Sequence, residues 1–101
     1  MLTLKRGDTW QVDCVRTDSQ GAIVSLTGVS IASKFKIGAI EHSFAINITN
    51  ASQGEYSLEM TAADSAEVLP RIYECDVEFT EVDGTIRSSE TFNIQVVADI
   101  T

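Results

Sequence analysis

A chain of 101 residues with 44% hydrophobic and 22% charged residues, one Pro and six Gly fits one small globular domain, 1-101, and is too short for two. No apolar run approaches the ~20 residues that cross a bilayer, and Met1-Leu2-Thr3-Leu4-Lys5-Arg6 sets its charges after the apolar residues, the reverse of a secretory signal. The net charge of -8 repels phosphate backbones, and Lys5, Arg6, Arg16, Lys34 and Lys36 are too scattered for a nucleic-acid footprint. The expected product is therefore made in the cytosol and binds neither membrane nor nucleic acid.

Two-residue alternation of apolar and polar side chains runs through most of the chain, which predicts a mostly β fold. From Thr9 to Thr17, Trp10, Val12 and Cys14 share one face, and Asp18-Ser19-Gln20-Gly21 supplies turn residues before Ala22-Ile23-Val24, a first hairpin. Val29, Ile31, Ser33, Phe35 and Ile37 then alternate with Ser30, Ala32, Lys34 and Lys36 as far as Gly38. Phe44, Ile46 and Ile48 point inward on the next strand, and Asn50 to Gly54 turns the chain into Tyr56, Leu58 and Met60, a second hairpin. Thr61 stands three residues before Asp64, a capping-box-like start for a short helix over 62-69 that Pro70 ends. Tyr73, Cys75, Val77 and Phe79 alternate with Glu74, Asp76 and Glu78, Val82-Asp83-Gly84 turns, and Thr85 to Val97 returns with Phe92, Ile94 and Val96 inward.

About seven short strands, one short helix near residues 62-69 and Gly-centred turns predict an all-β, immunoglobulin-like β-sandwich, with a barrel as the alternative. Tyr73-Glu74-Cys75 resembles the tyrosine corner of immunoglobulin-like domains, in which a phenol bonds to upstream backbone. Trp10 departs from the antibody pattern because it precedes Cys14, so the likeness is one of architecture. In such a sandwich the third and penultimate strands are neighbours, which brings Lys34 and Lys36 opposite Glu74, Asp76 and Glu78. These five residues form either solvated ion pairs or a candidate interaction surface. The wider charge pattern raises the same alternatives: residues 1-40 carry net +2 and residues 41-101 net -10, which fits a solvated acidic face or a polar molecule that stacks on copies of itself.

The chemistry-bearing residues are few. Cys14 and Cys75 both fall in inward phase; without a secretory signal they read as free buried thiols, and across a sandwich they also suit a disulfide. One His and two distant Cys lack the short spacing of a zinc site, and Glu74, Asp76 and Glu78 form a row without the curling loop that wraps Ca²⁺, so no metal is expected. His42 reads as a surface strand residue whose neighbour Ser43 points to the opposite face, which leaves no catalytic residues and no enzyme to argue for. No Gly-rich phosphate motif occurs, and no cofactor is implied. Arg6-Gly7-Asp8 matches an integrin tripeptide and Asn47-Ile48-Thr49 and Asn50-Ala51-Ser52 match glycosylation acceptors; all read as turn chemistry, with Asp8 expected to bond backbone two residues on.

Taken in order, Leu2-x-Leu4-x-Arg6-Gly7-Asp8-Thr9-Trp10, Ser25-Leu26-Thr27-Gly28, Gly54-Glu55-Tyr56-Ser57-Leu58, Tyr73-Glu74-Cys75-Asp76-Val77 and Phe92-x-Ile94-x-Val96 resemble small phage and prophage tail or baseplate β-sandwich proteins. Ser25 stands where that group more often has Asp. The resemblance implies a non-enzymatic virion structural module in the phage tail, with other tail or baseplate proteins, or further copies of itself, as partners. The ending Asp99-Ile100-Thr101, directly after the last strand, suits a freestanding module that joins others non-covalently. A carbohydrate-binding module of a receptor-binding assembly is the alternative, which would need exposed aromatic rings.

Overall fold

Alternation builds the molecule almost throughout. The computed structural model describes residues 2–89 and 91–98, so the ending Asp99-Ile100-Thr101 lies outside the described residues. Eight strands form among them: β1 Leu2–Lys5, β2 Trp10–Val15, β3 Ser30–Ile37, β4 Ile40–Asn50, β5 Glu55–Met60, β6 Ile72–Thr80, β7 Ile86–Ser88 and β8 Phe92–Val97. One sheet runs β1-β8-β6-β3-β4, with β7 also paired to β6, and the other runs β4-β5-β2. β4 serves both because it is long: Ile40 to Phe44 pair with β3, and Ala45 to Asn50 pair with β5. Among the described residues β1 and β2 do not pair, so the ladder stays open and forms a sandwich; the barrel is not formed.

The fold is immunoglobulin-like on its own evidence. β3, β6 and β8 lie side by side in one layer and β4, β5 and β2 in the other, the grouping of that architecture. The Tyr73 hydroxyl donates to the Leu69 carbonyl at 2.6 Å, as a tyrosine corner does. Trp10, Phe35, Leu58, Tyr73, Cys75, Val77, Phe79, Ile94 and Val96 fill the layer between the sheets. Phe35 sits at its centre, 4.8 Å from Phe44 and 5.2 Å edge-on from Tyr73, ring separations typical of favourable aromatic pairs.

Four local expectations need correction. The first hairpin reduces to a single bridge, Thr17 to Ile23, because β2 takes β5 as its ladder partner. The Asp18 carboxylate still closes the turn, accepting from the Gln20 and Ala22 amides. The helix α1 spans only Ala62–Ser65; Thr61 caps it through the Asp64 amide at 3.2 Å, and two further turns, Glu67 to Asp64 and Val68 to Ser65, carry the chain on toward Pro70. The returning strand is split into β7 and β8, where the Ser89 hydroxyl accepts from the Val77 amide at 2.9 Å and replaces a ladder partner. His42 is half-buried with its ring stacked 5.2 Å from Phe35, because pairing with Phe35 on β3 turns it to the core side.

The Arg6-Gly7-Asp8 turn is clamped to α1. The buried Ser65 hydroxyl donates to the Asp8 carbonyl at 2.6 Å and accepts from the Gly7 amide at 3.1 Å, while Arg6 Nε donates to the Ala66 carbonyl at 2.8 Å. The turn is therefore held by backbone groups and Ser65 rather than by the Asp8 side chain.

Candidate interaction surface

The charged surface lies on the outer face of the sheet that holds β3 and β6. Antiparallel register sets Lys34 opposite Asp76 and Lys36 opposite Glu74, with Glu78 opposite Ala32. All five residues singled out from the sequence, Lys34, Lys36, Glu74, Asp76 and Glu78, are exposed and share this face. They are positioned by the inward set Ser33, Phe35, Cys75 and Val77, whose burial fixes which face the alternate residues take.

The pairing partner differs from the simple expectation. Lys34 bonds Glu41 of β4 at 3.0 Å, and among the described residues Glu74, Asp76 and Glu78 enter no ion pair. Asp76 stands directly opposite Lys34 on β6, whereas Glu41 reaches it diagonally across β4 from its position opposite Lys36. Glu41 was legible in the sequence only through the two-residue turn Gly38-Ala39, which makes Ile37 and Ile40 partners and places Glu41 beside Lys36. The bond to Glu41 raises the Lys34 ammonium above its ordinary value, and the same bond holds the Glu41 carboxyl below its own. Both groups are exposed, so the pair orients the surface more than it stabilises the fold. Lys34, Lys36, Glu41, Glu74, Asp76 and Thr91 border a shallow depression of about 350 Å³, a mixed-sign surface with a row of three carboxylates along β6.

Cys75 lies beneath this face on β6 and Cys14 on β2 of the facing sheet, and both thiols are free. Ser33 donates its hydroxyl proton to the Asp76 carbonyl at 2.8 Å, and the Cys75 sulfur lies 3.5 Å from Ser33 Oγ and 3.8 Å from the same Asp76 carbonyl. Burial pushes the Cys75 thiol up to about 11 and raises Cys14 as well, against an opposing hydrogen bond from Tyr56. Thiols held protonated in this way are poor nucleophiles. His42 lies on the core side and Ser43 on the outer side of β4, and no cluster of three or more His, Cys, Asp or Glu among the described residues is placed to hold a metal ion. Among the described residues no helix is long and apolar enough to cross a membrane.

One charged anchor escaped sequence reasoning. Arg16, only 9% exposed, bonds Glu81 through Nη2 and stacks its guanidinium 4.4 Å above the Phe79 ring, tying the end of β2 to the β6–β7 turn. Nothing in the local pattern marks Arg16 as buried, because its partners lie 63 and 65 positions away.

No protein-family model matches the chain, and no curated protein matches its sequence. Among solved structures the chain is similar to murine CRIg, at 12% identity over 97% of this chain and 91% of that one, with a TM-score of 0.46. It is also similar to the Listeria monocytogenes internalin-like protein lmo2027, at 14% identity over 97% of this chain but 27% of that one, with a TM-score of 0.47.

Proposed function

We propose that this chain is a non-enzymatic structural module of a phage or prophage tail or baseplate, working through protein–protein contacts on its outer sheet face and open strand edges. The observation that carries the reading is where the aromatic residues lie. Trp10, Phe35, Phe44, Tyr56, Tyr73 and Phe79 are buried and Phe92 is half-buried, which accounts for all seven aromatic side chains. A carbohydrate-binding surface depends on exposed rings that stack on sugars, so this inward placement favours contact with proteins over contact with glycans. The face of Lys34, Lys36, Glu41, Glu74, Asp76 and Glu78 instead offers charges of both signs in fixed register, the kind of pattern that selects and orients a protein partner. The tail setting comes from the motif resemblance, and the virion is the proposed location.

The test is particle composition. A tagged copy expressed in a lysogenic host should co-purify with tail or baseplate proteins and appear by mass spectrometry in purified particles. Lys34→Glu with Lys36→Glu should reduce that incorporation while leaving the fold intact by circular dichroism. Absence from particles, together with binding on a glycan array, would overturn the assignment.

A further inference from the structure

Cys14 and Cys75 stand on opposite sheets, Cys14 on β2 and Cys75 on β6, and both side chains belong to the layer between them. Cys75 is buried, and Cys14 is half-buried against the core. Contacts across the layer bracket the pair. On one side of Cys14 along β2, Trp10 meets the ring of Phe35 at 6.2 Å, and Phe35 is the register partner of Cys75. On the other side, Arg16 lays its guanidinium 4.4 Å from the centre of the Phe79 ring, further along β6 from Cys75. Tyr56, opposite Cys14 in register, sets its ring edge-on 5.8 Å from the same Phe79. β2 therefore crosses over β3 and β6, with Cys14 above the part of β6 that runs from Cys75 to Phe79.

The electrostatics agree with this placement. The Tyr56 hydroxyl bonds the Cys14 thiol and is also influenced by Cys75, and Cys14 adds to the upward shift of Cys75. Such influence requires the two thiols to lie close together in one dry layer. We propose that Cys14 and Cys75 are a redox pair, which a small-molecule disulfide such as oxidised glutathione converts into a covalent bridge between the two sheets. Cys14, the more accessible thiol, attacks first: its sulfur bonds one glutathione sulfur, the glutathione disulfide breaks, and the other half leaves as a thiol with the proton that Cys14 gave up. The Cys75 sulfur then displaces the second glutathione from Cys14, and that glutathione leaves with the Cys75 proton. Two cysteines lose two electrons and the glutathione disulfide gains them. Because both thiols are held protonated, the reaction is slow in the closed sandwich at neutral pH and is completed readily when the chain refolds in the presence of the oxidant. The bridge closes a loop of about 60 residues, a large restriction of the unfolded chain. This inference stands whether or not the protein belongs to a virion.

The full chain, reduced and then refolded from urea in a mixture of reduced and oxidised glutathione, should give a monomer lighter by the mass of two hydrogens, with Cys14 and Cys75 joined in one peptide after non-reducing digestion. That species should melt on the order of 10 °C above the reduced chain and return to the reduced melting point on treatment with dithiothreitol. Oxidised glutathione added to the folded variants should stop at an adduct on Cys14 in Cys75→Ala and leave Cys14→Ala unmodified; the opposite pattern would overturn the order of attack. Two thiols that both still react with Ellman's reagent in denaturant after oxidative refolding, a disulfide between chains, a glutathione adduct as the final product, or a bridged chain that melts no higher than the reduced one would each overturn the proposal. Mass and melting point of the unsubstituted chain decide the matter even if a variant fails to fold.

Discussion

Removing the carboxylate of Glu81 should destabilise this domain far more than removing the charge of Arg16, although the two form one ion pair. Glu81→Ala leaves the Arg16 guanidinium buried with the Phe79 ring as its remaining partner, and its Nη1 already has no hydrogen-bond partner. Breaking a buried pair from one side costs about 3–5 kcal/mol. Glu81 is 28% exposed, so water can replace it at Nη2, which puts the cost near the lower end, about 3 kcal/mol. Arg16→Met removes the buried charge, keeps most of the apolar stem over Phe79 and lets Glu81 return to solvent. Its cost is set by the lost cation–π contact, about 1 kcal/mol. At roughly 4 °C per kcal/mol for a domain of this size, Glu81→Ala should lower Tm by about 12 °C and Arg16→Met by about 4 °C. Urea titrations of both variants and the double variant, read at unchanged m, give the comparison, with the double variant expected to resemble Arg16→Met. An Arg16→Met cost equal to or above that of Glu81→Ala would refute the argument that the uncompensated buried charge dominates.

Three further outcomes follow from the geometry. Tyr73→Phe removes the donor to the Leu69 carbonyl and should cost about 1 kcal/mol by denaturant titration, since the half-exposed Leu69 can recruit water; no measurable loss would show that the corner is not a stabilising contact. Gly54→Ala should destabilise by more than 1 kcal/mol, roughly, because residue 54 sits at φ 69° and a Cβ there would stand 2.7 Å from the Val24 carbonyl. Gly38→Ala, also at positive φ but with nothing within 4 Å, should cost clearly less, and equal losses would remove the steric part of the account. Cys75 is an acid whose folded value is raised from 9.0 to about 11, so the unfolded chain loses its proton first and stability falls as pH rises through that interval, being complete below it. Urea midpoints measured across pH 9 to 11 should decline in wild type and less in Cys75→Ala, and identical slopes would contradict the burial of that thiol.

Period-two alternation by itself determined the all-β class and the inward set from Trp10 to Val96, because each depends on which face a side chain takes. Backbone geometry settles that locally, and burial then fixes it. The nearness of Lys34 and Lys36 to the Glu74, Asp76 and Glu78 row and the Tyr73 corner came from the likeness to immunoglobulin-like sandwiches. What only the tertiary structure decided is partnership between elements distant in sequence. β2 chose β5 over its neighbour, β4 divided itself between two sheets, Ser65 clamped the Arg6-Gly7-Asp8 turn, and Arg16 found Glu81 and Phe79. Those contacts join residues tens of positions apart, and no local pattern encodes them. They arise when two amphipathic sheets close on one another and each remaining polar group takes the partner that packing brings within reach.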